Sequence, residues 1–291
     1  MAHNIPKTQV DKHAKGISDA KCTQVSNLQK YIQEVLGDTH HTFLQGSYKN
    51  DTSISDIKDV DIVAIRKNTY STVHTGLSFP ISIPWEDIFS EIEAKLKTQT
   101  VYRWTVTRSD SGKCIEVRTS TFKADVVPAI QVNTDIESDP IAIYSFKTMT
   151  EKKNSPRTHY KNGVAKHDVT DQRFKPVVRM FKNWAENHFG NNAPISSHKI
   201  ESLVHNSPNE NFYSDHAESF LHVSAHILTL LRKNVPVYSV CGSEDITSNW
   251  EAPKRELFIS TLQTSFDNAL KAYRATTIRD AQLYWDISFN E

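Results

Sequence analysis

The sequence lacks the features of several protein classes. Its three cysteines, Cys22, Cys114 and Cys241, lie far apart and in no metal-ligand or disulfide spacing. That pattern is typical of a reducing cytoplasm, and we expect each thiol to be a small core or surface residue. No run approaches the ~18 apolar residues that cross a bilayer, and the first residues lack the apolar core of a signal peptide. We therefore expect a soluble, cytoplasmic protein with no membrane partner.

The sequence also lacks an excess of either charge. It has 34 Lys and Arg residues against 34 Asp and Glu residues. A protein that binds a long nucleic acid usually presents a strongly basic surface. The balanced charge therefore argues against such a partner, and any recognition of phosphate must come from a local site. No internal repeat or low-complexity tract is present, and 291 residues are enough for two lobes with real cores.

Strand and helix patterns alternate over roughly the first 150 residues. The spacing of apolar residues predicts one long amphipathic helix over residues 8–36, ended by Gly37. The segment 71–84, rich in Ser, Thr, Gly and Pro, predicts an irregular connection before a helix at 85–96. Short apolar runs predict strands at 42–44, 60–65, 101–106, 115–118 and 122–127, the last closed by Pro128.

Beyond about residue 150 the strand patterns give way to helical ones. The charged segment 152–166, which contains Pro156 and Gly163, predicts a connector. We therefore expect an α+β protein with a sheet lobe at 1–150 and a helical lobe at 151–291, bridged by the long first helix. Apolar periodicity predicts the later helices at 171–189, 197–205, 212–231, 256–275 and 278–285.

The most informative motif pairs a Gly46-Ser47 turn with Asp59-Val60-Asp61 at the start of a strand. Side chains at positions i and i+2 of a strand point the same way, so Asp59 and Asp61 should converge on one point. Carboxylate oxygens are the hard ligands that Mg²⁺ accepts. The glycine lets the backbone approach a phosphate, and the Ser47 hydroxyl can donate to it if a helix begins nearby.

A third carboxylate, Asp125, lies in a later and mainly apolar strand. An unpaired buried carboxylate is costly, whereas a bound cation removes the cost. Two-metal phosphoryl transfer uses ions ~3.5–4 Å apart and needs more than two carboxylates. We therefore expect Asp59, Asp61 and Asp125 to be catalytic ligands of two Mg²⁺ ions, with Mn²⁺ able to substitute. Each motif alone has an ordinary interpretation as a turn or a solvated strand, and only the ordered set favours a site.

This ordered set resembles the signature of the DNA polymerase β-type nucleotidyltransferases. Two later runs, VVRMFKNW at 177–184 and SHKIESLV at 197–204, resemble the helical lobe of the cGAS/DncV-like nucleotidyltransferases. These are bacterial synthases of cyclic oligonucleotide signals, and the runs are also similar to the related 2′-5′-oligoadenylate synthases. The resemblance covers roughly residues 40–205, and the long first helix extends it to the whole chain. It implies a polymerase β-type sheet lobe packed against a C-terminal helical lobe.

The resemblance also implies which residues bind nucleotide. Lys182 and Ser197 take the positions that clamp the triphosphate, with Ser196 as an alternative to Ser197. Family members commonly carry an aromatic residue after the serine to stack on the base, and His198 stands there in this chain. Imidazole stacks less broadly than tyrosine, so base recognition departs from the family pattern. In the turn before the carboxylates, the implied nucleotide-binding residues are Gln45, Gly46 and Ser47.

The implied activity is template-independent synthesis of a cyclic di- or trinucleotide from nucleoside triphosphates in antiphage defence, with ATP as one substrate and pyrophosphate released. Some family members need a regulatory partner protein and others do not. The open alternatives are a linear oligoadenylate synthase, a tRNA nucleotidyltransferase, an AMPylating toxin-type enzyme and a non-catalytic binding module. His222 and His226, one helical turn apart, also have a spacing that binds zinc, although surface or core histidines are the commoner case.

Overall fold

The protein has two compact units. The structure, a computed structural model, describes residues 3–54, 59–74, 83–99, 101, 103–119 and 122–291, apart from the side chain of Asp59. The sheet unit consists of residues 17–50 and 56–160, and the helical unit of residues 1–16, 51–55 and 161–291. The predicted α+β fold class is confirmed. In the described ranges no helix is long and apolar enough to span a membrane.

The described part of the sheet unit holds a seven-stranded sheet with the order β1-β2-β5-β4-β3, in which β6 pairs with both β5 and β7. Strands β2 and β5 run parallel, and the other neighbours are antiparallel. The strands are β1 (His40–Gln45), β2 (Asp59–Tyr70), β3 (Thr105–Arg108), β4 (Ile115–Arg118), β5 (Lys123–Gln131), β6 (Ile141–Ser145) and β7 (Thr150–Asn154).

Strand β2 is buried on both faces, as its apolar run predicts. Val60, Ile62 and Ala64 join the core that also contains buried residues of helices α2 (Asp19–Leu36) and α4 (Trp85–Thr98). Val63 and Ile65 belong to a smaller cluster with Ala129 of β5. The alternation assigns every second residue to one face, which fixes the face on which Asp61 lies.

Two strand predictions need correction, and two strands were not predicted. Strand β5 does not end at Pro128 but runs through it to Gln131. On the edge away from β2, its partner is β4 up to Val126 and β6 from Ala129, so on that edge the proline lies between two ladders. The strand predicted at 101–106 is instead β3, which begins at Thr105. Strands β6 and β7 were absent from the prediction, and in the polar strand β7 the Lys and Glu residues carry no strand signal.

The helical unit is built around a large apolar core that includes Phe174, Trp184, Phe220 and Trp285. Short 3-10 turns at 190–192 and 209–211 lie between its longer helices. Those helices are α1 (Lys7–Ala14), most of α5 (Pro156–Val169), α6 (Phe174–Phe189), α7 (Ser197–His205), α8 (His216–Arg232), α9 (Ala252–Arg274) and α10 (Ile278–Ser288).

The single helix predicted over 8–36 is wrong. The structure has two helices, α1 and α2, separated by residues 15–18 in extended or irregular conformation. Ser18 caps α2, with its hydroxyl accepting from the Lys21 amide at 3.4 Å. A Ser at this position competes with helix continuation because its side chain satisfies the free amides of a new first turn. Helix α1 belongs to the helical unit, and α2 to the sheet unit.

The segment predicted as the connector, 152–166, is not a loop. Its start is the end of β7, and the rest is helix α5, which begins at Pro156. Proline suits the first helical position because its missing N–H is unpaired there anyway. The contacts change from one unit to the other between Tyr160 and Lys161, inside this helix. The boundary predicted at 150/151 lies earlier, at the start of β7.

Candidate active site

One row of polar residues crosses the sheet. Gln45 of β1 pairs with Asp61 of β2, which pairs with Asp125 of β5. Asp125 pairs in turn with Glu116 of β4, and Glu116 with Thr107 of β3. Residues directly opposite one another in a ladder project from the same face of the sheet. The backbone register therefore brings the two predicted carboxylates Asp61 and Asp125 side by side.

The face on which this row lies is not the one covered by α2 and α4. Ile62, Val126 and Ile115 are each next to a row residue in the chain, and all three belong to the core that includes those helices. Because neighbouring residues of a strand point to opposite faces, Asp61, Asp125 and Glu116 lie on the other face. Asp61 and Asp125 are half-buried there, so they keep partial access to solvent.

Gly46 lies directly against the carboxylate of Asp61. A Cβ atom at position 46 would collide with Oδ2 of Asp61, and Gly46 has a positive φ of 69°. Both observations require glycine here, since other residues would be strained and would displace the carboxylate. Helix α3 (Gly46–Asn50) starts at this glycine, and Ser47 lies half-buried in its first turn. The predicted turn and the predicted carboxylate thus meet within the sheet unit.

A basic residue stands between two acids of the row. Nζ of Lys123 lies 3.4 Å from Oδ1 of Asp125 and 3.5 Å from Oε1 of Glu116. Glu116 also accepts from Arg118 at 2.7 Å, and this hydrogen bond is the main reason that its pKa is lowered. Glu116 is thus held as an anion by Arg118 and Lys123, Asp125 shares Lys123 with it, and Asp61 lies beside Gly46. Sequence reasoning missed Lys123 and Glu116, although both flank Asp125 in register and the period of a strand could have identified them.

The donor set fits a hard divalent cation as far as it is described. Asp61 and Asp125 offer carboxylate oxygens from adjacent strands on one face. Asp59 is the first residue of β2 and pairs with Lys123 in the ladder, but its side chain lies outside the described part. Among the side chains that are described, no three His, Cys, Asp or Glu residues form a metal cluster. The side chain of Asp59, the predicted third ligand, is outside that described set.

Cys114, just before β4, is no nucleophile for this site. Burial, with smaller contributions from Asp125 and Glu116, raises the pKa of its thiol to about 12. Because the thiolate is the reactive form, the residue stays an inert thiol at neutral pH. The prediction of a small core residue is confirmed for Cys114, which is buried.

Gln45 and Lys182 make specific contacts in their own units. Oε1 of Gln45 accepts from Asn154 of β7 at 3.3 Å. Lys182 of α6 is buried, and its Nζ donates to Oγ1 of Thr52 at 2.9 Å and to Oε2 of Glu201 at 3.0 Å. The Thr52 hydroxyl donates to the same Glu201 oxygen at 2.9 Å, so the three side chains form one hydrogen-bonded network.

This buried network changes the interpretation of Lys182. Its side chain is only 2% exposed and that of Glu201 4%, so the pair is removed from water. An ammonium group has three N–H donors, and Thr52 and Glu201 take two of them. A phosphate contact would use the third, and the predicted triphosphate role remains a prediction. Sequence reasoning missed Thr52 and Glu201, because their proximity arises from packing.

The start of α7 is open to solvent. Ser196 is the N-cap, with its hydroxyl 3.5 Å from the Lys199 amide, and Ser197 is the first helical residue. Ser196, Ser197 and His198 are all exposed. Nε2 of His198 lies 3.4 Å from Oε1 of Glu244. The cap thus uses Ser196, which leaves the Ser197 hydroxyl as the better placed of the two for a ligand.

The zinc alternative has no support in the structure. The ring of His222 packs against that of Tyr213 at 4.7 Å, and burial lowers the pKa of His226. Neither histidine is part of a three-residue metal cluster within the described ranges. His222 is thus an exposed residue of α8 that contacts Tyr213, and His226 is a half-buried one.

Comparisons with known proteins decide the family. Residues 161–265 match the model of the cGAS/DncV-like nucleotidyltransferase C-terminal helical domain. The cyclic UMP-AMP synthase of Rhodothermus marinus (strain SG0.5JP17-172) is 32% identical over 198 residues, which cover 62% of this chain and 68% of that protein. The chain belongs to the cGAS/DncV-like nucleotidyltransferases. The family resemblance and the enzyme class predicted from sequence are confirmed.

Further similarities extend over more of this cGAS/DncV-like chain. The cyclic nucleotide synthase CdnE01 of Staphylococcus haemolyticus is 29% identical, with 83% of this chain and 90% of that protein covered. A structure of Elizabethkingia meningoseptica CdnE cyclic dinucleotide synthase with GTP and Apcpp matches with a TM-score of 0.72 at 26% identity, covering 89% and 97% of the two chains. The E. coli MS115-1 CdnC:HORMA-deltaN complex matches at a TM-score of 0.73 over 95% and 93% of the chains, and at 13% identity this likeness concerns the fold.

Proposed function

We propose that the protein makes a cyclic di- or trinucleotide from nucleoside triphosphates, with ATP as one substrate, as a signal in antiphage defence. The observation that carries the proposal is the register of Asp61 with Asp125, beside the glycine at which α3 begins. Family membership supports the same class of reaction. Several relatives are named as synthases of cyclic dinucleotides, and one as a cyclic AMP-AMP-AMP synthase.

Asp59, Asp61 and Asp125 would hold two Mg²⁺ ions, or Mn²⁺ in their place. Bound there, the ions would lower the pKa of the attacking hydroxyl and neutralise charge on the triphosphate and the leaving pyrophosphate. The chain itself would position the carboxylates that hold the ions. The β2–β5 ladder sets the spacing of Asp61 and Asp125, and Gly46 lets the backbone approach the carboxylate closely. The half-buried setting keeps these oxygens partly desolvated before the substrate arrives.

In the sheet unit, Gly46 and Ser47 are the proposed phosphate-binding residues. In the helical unit, the family resemblance assigns phosphate binding to Lys182 and Ser197, with His198 against a base. A regulatory partner protein is part of the proposal as an optional activator. Support comes from the fold-level match to a CdnC in complex with a HORMA protein.

The test is to incubate the purified protein with all four nucleoside triphosphates and Mg²⁺ or Mn²⁺, and to identify products by mass spectrometry after phosphatase treatment. We expect a phosphatase-resistant product whose mass equals two or three nucleoside monophosphates less the waters lost on ring closure. A phosphatase-sensitive ladder would instead indicate a linear oligonucleotide synthase. Label from α-labelled ATP on protein would indicate AMPylation. Infection of cells that carry the active or the Asp61→Asn protein tests the role in defence.

A further inference from the structure

A hairpin of the helical unit presents a carboxylate at the start of α7. The hairpin spans residues 237–246, and its arms are joined by hydrogen bonds from Ser239 N to Glu244 O at 2.9 Å and from Ile246 N to Val237 O at 2.8 Å. Gly242 turns the chain with a positive φ of 73°. Glu244 is on the returning arm, with its side chain 62% exposed. The carboxylate is therefore accessible while its backbone is fixed.

Several contacts hold the hairpin against neighbouring helices. Val237, Val240 and Ile246 are buried, and Val237 and Ile246 belong to the apolar core of the helical unit. The side-chain amide of Asn206, at the end of α7, donates to the carbonyl of Tyr238 at 2.7 Å, and that of Asn162 in α5 donates to the carbonyl of Val240 at 2.9 Å. A functional side chain on such a supported backbone has a defined position.

The Glu244 carboxylate lies next to His198, the residue that would stack on a base. Nε2 of His198 lies 3.4 Å from Oε1 of Glu244, and His198 directly follows Ser197 in the first turn of α7. An imidazole next to a carboxylate is held in one orientation, and its ring face can stack on a base. The pair thus combines a stacking surface with an acceptor at its edge.

We propose that Glu244 reads the base of the nucleotide whose triphosphate Ser197 holds, and that it selects guanine. The inference rests on the proposed function. A carboxylate only accepts hydrogen bonds, so it favours a base edge with two adjacent donors. Guanine offers N1–H and the 2-amino group side by side. Adenine and cytosine place a ring-nitrogen lone pair beside their amino group, and uracil flanks its N–H with two carbonyls, so each would meet a repelling acceptor.

The experiment measures binding of non-hydrolysable α,β-methylene analogues of GTP and ATP to the full chain in Mg²⁺ by calorimetry. We expect the wild type to bind the guanine analogue at least about fivefold more tightly, the lower end for a bidentate base contact. Glu244→Gln should reverse or abolish this ratio, because an amide pairs well with adenine. Glu256→Gln, an exposed acid of α9, is the matched control and should leave the ratio unchanged.

A purely structural role for Glu244 predicts that both analogues weaken together, with a lower Tm and an unchanged ratio, and that result overturns the inference. So does a wild type that prefers the adenine analogue. His198→Ala should weaken both analogues by about tenfold, since stacking is tolerant of the base. If cyclic product forms but the ratio does not respond to Glu244→Gln, only this inference fails. If no triphosphate analogue binds and no product forms, the proposed function fails with it.

Discussion

The two units position their polar groups in different ways. In the sheet unit, Asp61 and Asp125 are half-buried and are aligned by the backbone ladder between two strands. In the helical unit, Lys182, Glu201 and Thr52 are almost fully buried and satisfy one another. Carboxylates side by side repel and contribute little to stability without a cation, whereas a buried ion pair is balanced internally. Substitution of Asp61 or Asp125 should therefore lower activity with little change in stability. In the helical unit, loss of one member of the Lys182–Glu201 pair should lower stability.

The largest expected effect is on turnover. Asp61→Asn or Asp125→Asn should each lower the rate of product formation by at least about a thousandfold, because a ligand for charge stabilisation is lost. Tm of Asp61→Asn should not fall, since a repelling charge is removed. Asp125→Asn also loses its contact with Lys123, a partly exposed pair, so its Tm should change little. Asp110→Asn, an exposed acid in the β3–β4 turn, is the control. Turnover within tenfold of wild type in either variant would exclude the assigned role.

The next largest effect is on the stability of the helical unit. Glu201→Leu should lower the free energy of unfolding by about 3–5 kcal/mol, because the Lys182 ammonium is left buried without its partner. The double variant Lys182→Met with Glu201→Leu should recover much of that loss in denaturant unfolding. Additive losses in the double variant would mean that the two side chains do not act as a pair.

Acid should destabilise both units for the same reason. Burial lowers the pKa of His40 in the sheet unit and of His13 in the helical unit from 6.5 to about 4. The unfolded chain therefore binds protons first, and the free energy of unfolding falls as the pH drops from 6.5 to 4. Each histidine should account for about 3 kcal/mol at the end of that range. Denaturant unfolding of His40→Gln should give a shallower pH profile than wild type, and an identical profile would contradict this assignment.

The smallest expected effect on stability comes from Gly46, which lies against the Asp61 carboxylate. Gly46→Ala should cost about 1–2 kcal/mol of stability, since it places a Cβ in the left-handed region. It should also lower turnover disproportionately, because the new methyl displaces the Asp61 carboxylate. Gly37→Ala, at a positive φ of 67° with open space around it, is the matched control. It should match the stability loss while keeping the rate, and equal rates in the two variants would remove the role given to this contact.

Sequence reasoning was most successful where the backbone alone determines position. The two-residue period of a strand identified the face of Asp61, and the apolar context of Asp125 indicated a neighbouring strand. It failed where position depends on packing. Thr52 and Glu201 are far from each other in sequence, and their meeting with Lys182 depends on how α6 and α7 pack. The break at 15–18 was missed because the apolar spacing continues across it, whereas the Ser18 cap is a local hydrogen bond.

The central claim is that carboxylates on β2 and β5 share one cation site. Titration of the protein with Mn²⁺, followed by electron paramagnetic resonance without any nucleotide, tests this directly. The account predicts that the wild type binds Mn²⁺, and that Asp61→Asn and Asp125→Asn each weaken binding by more than about tenfold, while Asp110→Asn does not. Unchanged Mn²⁺ affinity in either row variant would contradict it.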